Sequence, residues 1–121
     1  LNIKPFIKKS LKEVYVDDKL VTPELVTRYN DFLRVKGNRK AFFQKVNSIK
    51  KSDESELKQI SCPTLIQWGK QDTWIPIELA DIFTANISNQ KMIVYDNCGH
   101  VPQEEKAQES VKDAIDFLLN D

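Results

Sequence analysis

Histidine occurs once in these 121 residues, methionine once, cysteine twice and glycine three times. One histidine without clustered acids makes a poor metal site, so no metal is expected, and nothing implies an organic cofactor. Three glycines leave no Gly-rich phosphate loop, which argues against a nucleotide-binding domain. Two cysteines do not make a disulfide framework. If the strands identified below run parallel, Cys62 starts one and Cys98 follows the other. They would then lie at opposite ends of the sheet, beyond disulfide reach. Free thiols suit a reducing compartment, and a cytoplasmic location is expected on that ground. Charge of one sign is also missing, with 18 Lys and Arg against 18 Asp and Glu. The cations are interleaved with acids, so no nucleic-acid partner is expected. No apolar run approaches the ~20 residues of a membrane helix, and no membrane partner is expected. The start shows no charged-then-apolar signal pattern. A chain opening at Leu1 without methionine reads as a piece of something longer or as a processed product. Its length suits one domain of the usual ~100–200 residues.

What is present falls into two parts. The first, up to about residue 50, has helical spacing. Pro5 opens a segment in which Phe6, Ile7, Leu11, Val14 and Tyr15 approximate one apolar face, and Asp17–Lys19 is a charged break. Thr22-Pro23 pairs a hydroxyl cap with proline at the first helical position. Leu25, Val26, Tyr29, Phe32 and Leu33 then recur every three or four residues. Gly37-Asn38 ends that helix and begins another through Ala41, Phe42, Lys45, Val46 and Ile49. The aromatic side chains Phe32, Phe42 and Phe43 are expected in packing rather than around a cofactor. Lys50–Glu56 is a mixed charge run, read as a solvated linker or helix start.

The rest of the chain is organised around Ile60–Gln103. Pro63–Trp68 is a short apolar run closed by Gly69, and Lys91–Tyr95 repeats the pattern, as buried parallel strands do. Pro76–Asn86 between them has helical spacing, giving a strand–helix–strand unit. Gln103–Asp121 is the strongest helix. Its acidic start, Glu104-Glu105, suits the helix dipole, and Val111, Ala114, Ile115, Leu118 and Leu119 form a face expected to pack across the strands.

Asp72 and His100 each follow a strand's C-terminal end. In a parallel pair they share the sheet edge where open α/β sheets keep their chemistry. Adjacent strands lie about 4.8 Å apart, so a carboxylate and an imidazole on neighbouring loops can touch. A lone Asp in such a loop is most often a cap, and a single His is most often structural. Gly99, however, permits a sharp turn that aims the next side chain along the edge, and imidazole suits proton transfer near neutrality.

These residues carry a resemblance. Pro63-Thr64-Leu65-Ile66, Trp68-Gly69, Asp72, Pro76, Gly99-His100, Pro102, Glu104 and the closing Ile115, Phe117 and Leu118 resemble the C-terminal end of an α/β-hydrolase-fold protein, over about half of the chain. Residues 1–52, through LVTPELVTRYNDFL, more weakly resemble the last part of the helical lid that many members insert before the penultimate strand. The fold class expected is therefore α/β. A lid-like helical half, 1–52, precedes a β-α-β-α unit, 53–121, with two parallel strands from a doubly wound sheet. The resemblance implies that Asp72 is the triad acid and His100 the general base, with the nucleophile upstream. An Asp nucleophile in place of Ser would imply epoxide-hydrolase or dehalogenase chemistry. Trp74 and the lid helices would wall an apolar pocket for a small-molecule substrate, although core packing suits Trp74 equally.

The family's Gly-x-Ser-x-Gly elbow is absent, because the glycines are only 37, 69 and 99. No serine lies in a strand–turn–helix setting, and Cys98, two residues from His100, is a poor nucleophile for that base. The chain alone is therefore expected to be catalytically silent. With two exposed sheet edges, it is expected to self-associate. The rival from another class is a non-enzymatic α/β interaction module or a degenerate hydrolase relative. Such a module would bind its partner whether or not His100 is present.

Overall fold

A computed structural model describes residues 2–48 and 54–120. The boundary expected at 52/53, Ile49 and the charge run's first residues lie outside them. Helices α1 (Lys4–Val14), α2 (Pro23–Arg34) and α3 (Asn38–Asn47) precede strand β1 (Thr64–Gly69), helix α4 (Ala80–Asn86), strand β2 (Gln90–Tyr95), a short helix α5 (Pro102–Glu105) and α6 (Ala107–Asn120). The strands pair in parallel from Thr64 opposite Gln90 to Gly69 opposite Tyr95. Both therefore end on the same edge, and the expected α/β class is the one observed.

Local chemistry explains most of the boundaries. Thr22 Oγ1 accepts the Leu25 amide at 3.2 Å and Pro23 opens α2, as the hydroxyl–proline pair predicts. The charged break is a 3₁₀ turn, Asp18–Leu20, capped by Asp17. Gly37 takes φ +96 between α2 and α3, a conformation that glycine adopts without strain. The expected helix from Pro76 starts as a 3₁₀ turn, Ile77–Leu79, and becomes α-helical only at Ala80.

The main core lies between α1 and α2. Ile7, Leu11, Val14, Tyr15, Val21 and Val26 cluster there with Val101, which arrives from the loop after β2. Three expectations about packing fail. Phe6, Phe32, Phe42 and Phe43 are exposed: Tyr15 and aliphatic side chains already close the core between α1 and α2, and α3, which carries Phe42 and Phe43, adds no described side chain to it. The final helix is two pieces, interrupted at Lys106, and Glu104 and Glu105 reach back to side chains and amides of the helical half. The face of α6 at Val111, Ile115, Leu118 and Leu119 is exposed as well. Polar anchors select a different face: Gln67 donates to the Ser110 carbonyl at 2.8 Å and Tyr95 to Asp113 Oδ2 at 2.8 Å. Buried polar groups are costly to leave unpaired, and these two strand residues turn Ser110 and Asp113 toward the sheet. Among the described residues no helix is long and apolar enough to cross a membrane.

Candidate active site

The loops after β1 and β2 continue the strand pairing beyond the sheet. The Lys70 amide donates to the Tyr95 carbonyl at 3.0 Å and the Gln71 amide to the Cys98 carbonyl at 2.9 Å. Gln71 Oε1 in turn accepts the Cys98 amide at 3.2 Å. Asn97, with φ 51, makes the left-handed turn of the second loop; asparagine is among the side chains that tolerate it. The sharp turn is thus Asn97's. The glycines serve close approach instead. A Cβ on Gly69 would stand 1.9 Å from the Gly99 carbonyl oxygen, and one on Gly99 would stand 2.3 Å from the Val14 carbonyl oxygen.

This zipper brings Asp72 and His100 together. His100 Nδ1 lies 2.8 Å from Asp72 Oδ2. The other carboxylate oxygen accepts the amides of Trp74 at 2.8 Å and Ile75 at 2.9 Å. The cap uses one oxygen of the side chain and the contact with the imidazole the other, so the two interactions coexist. A carboxylate can only accept, so Nδ1 carries the proton in the neutral ring and Nε2 is left with its lone pair. Among the described residues no hydrogen bond engages Nε2. The Asp72 side chain is 5% exposed and that of His100 31%, so the acid is enclosed while the imidazole reaches solvent. Trp74 lies beside it, ring centroids 5.6 Å apart at 39°, and is itself half exposed. Trp68 braces the acid loop from behind, its indole donating to the Ile75 carbonyl at 3.1 Å.

Cys98 is fully buried, and burial, reinforced by the negative charge of Glu105, pushes its thiol up to about 12. It stays a thiol at neutral pH and is not a competent nucleophile. No described serine stands in a strand–turn–helix setting; Ser110 is on α6 and donates to the Ala107 carbonyl at 3.4 Å. The sequence reading missed Gln71, Thr73 and Glu105, which tie these loops to one another and to α1. A glutamine beside a candidate acid is a faint signal for the first, and nothing local signals the other two.

A family model described as alpha/beta hydrolase fold matches residues 5–107. The chain belongs to the α/β hydrolase family. It is 38% identical over 83 residues to a monoacylglycerol lipase of Mus musculus, covering 68% of this chain and 25% of the relative. It is 30% identical over 118 residues to a 2-hydroxy-6-oxo-6-phenylhexa-2,4-dienoate hydrolase of Burkholderia cepacia, covering 94% of this chain and 41% of the relative. Among solved structures, a meta-cleavage product hydrolase from Pseudomonas fluorescens IP01 superposes with TM-score 0.80 at 20% identity, over 95% of this chain and 45% of that one. A membrane phospholipase A gives TM-score 0.77 at 24% identity, over 95% and 37%. Likeness at such identity shows the fold alone. The chain spans between a quarter and two fifths of these two curated relatives.

Proposed function

We propose that this chain supplies the acid and the general base of an α/β hydrolase active centre that is completed by a nucleophile on sequence preceding Leu1. The observation that carries the reading is the 2.8 Å contact between His100 Nδ1 and the enclosed Asp72 carboxylate, with Nε2 unengaged. In this role Asp72 fixes the ring tautomer and steadies the imidazolium. Nε2 takes the proton of the nucleophile as it attacks an ester or related carbonyl carbon of a small-molecule substrate, and returns it to the leaving group. Residues 1–52 form the end of the lid and 53–121 the acid-and-base part of the core. Trp74, packed beside the imidazole, walls the substrate pocket on the side of the base. Without nucleophile and oxyanion donors the chain by itself is silent, because triad members act as a unit, and its uncovered edges and faces drive self-association.

The reading frame upstream of the Leu1 codon tests the assignment of the nucleophile. A strand–Gly-x-Ser-x-Gly–helix pattern there supports a serine hydrolase, and an Asp at the elbow moves the chemistry to alkyl-enzyme esters. A frame that opens at Leu1 removes the nucleophile and leaves the interaction module.

A further inference from the structure

The C-terminal end of α1 touches the acid loop and the base loop together. The Glu13 carbonyl accepts the hydroxyl of Thr73, the residue after Asp72, at 2.9 Å. The Val14 carbonyl accepts the amide of His100 itself at 2.9 Å. Two residues on, the Val16 amide donates to Glu105 Oε2 at 2.8 Å, and Glu105 Oε1 accepts the Gly99 amide at 2.7 Å. A helix leaves its last carbonyls without intrahelical partners. Here two of them are taken by the loops that hold the candidate acid and base. The approach is tight enough that Gly99 has no room for a side chain against Val14. Glu104, the neighbouring carboxylate, binds Tyr15, Arg28 and Tyr29 instead, so it joins the same halves of the molecule by a separate route.

We propose that Glu105 and Thr73 are positioning residues through which the end of α1 sets the geometry of the Asp72–His100 pair. This rests on the acid–base reading above and adds that the base is held by the helical half as well as by the sheet. The Glu105 carboxylate bridges two amides, that of Gly99, the residue before His100, and that of Val16 on the helical half. Thr73 ties the acid loop to the helical half with a single bond. Misplacing a base by about 1 Å costs on the order of 100-fold in rate, so a shift of α1 is felt at the imidazole without touching it.

His100 is the only histidine in the chain, so nitrogen-15 NMR of imidazole in the chain as it stands reads this one side chain. The wild type should show a single tautomer with a downfield proton on Nδ1. In Glu105→Ala that proton should be lost to exchange with water and the second tautomer should appear. Glu105→Gln keeps one acceptor oxygen and should give an intermediate tautomer ratio; it carries the test if the alanine variant does not fold. Thr73→Val should move the signals the same way by less. Glu104→Ala, which loosens the two halves without touching the base loop, should leave them in place. Wild-type signals in the Glu105 variants, or equal shifts in Glu104→Ala, overturn the proposal. Asp72→Asn is the separate check: an Nδ1 proton that survives it sinks the acid–base reading itself.

Discussion

At the scale of single residues, two adjacent carboxylates divide the work of joining the halves, and Glu104 couples that work to pH. Burial alone raises the Glu104 carboxyl. The hydroxyls of Tyr15 and Tyr29 and the Arg28 guanidinium outweigh it and bring the group below its ordinary 4.5. A depressed folded value means stability that is complete above 4.5 and lost as pH falls through the lower folded value. Acid unfolding should therefore steepen below that point, and Glu104→Gln should flatten the profile while costing about 1–3 kcal/mol at neutral pH. Denaturant melts of both proteins across the acid range check this; parallel profiles would show that Glu104 carries no such linkage. Asp72 and His100 were legible in the sequence because each is a polar residue just past an apolar strand run. Glu105 was not, since its partners, the Gly99 and Val16 amides, include main chain 89 residues away. Gly99 was noticed for the wrong physical reason, as its value is the absent side chain and not a special φ.

Elements repeat that division. The parallel strands, the capped start of α2 and the existence of five of the helices followed from period and punctuation, which are local. The face on which α6 lies did not. Its apolar stripe predicts one rotation, whereas Gln67 and Tyr95, pointing from the strands at Ser110 and Asp113, impose another. The consequence is an outward row of Val111, Ile115, Leu118 and Leu119, beside a sheet that has two strands among the described residues. Exposed apolar faces and open strand edges favour pairing with a further chain. Sedimentation at micromolar concentration should show dimers or larger species. Replacing Leu118 and Leu119 by Lys should shift the distribution toward monomer. A wild-type chain that remains a monomer throughout contradicts the self-association we propose.

For the whole molecule, the balanced charge conceals a partition: residues 1–52 hold 13 Lys and Arg against 5 acids, and residues 53–121 hold 5 against 13. Interleaving, expected from composition, holds only locally. The ion pair between Arg28 and Glu104 therefore joins a basic half to an acidic one. That electrostatic seam runs beside the hydrogen bonds from α1 to the loops of Asp72 and His100, so the candidate acid–base pair lies where the two halves meet. The most direct test of the central claim is ester hydrolysis by the protein translated from the reading frame extended upstream of Leu1, with and without His100→Ala. If His100 is the general base, kcat/KM should fall by about 10³- to 10⁶-fold, with the fold unchanged by circular dichroism. Turnover within a few-fold of wild type after that substitution would contradict the account.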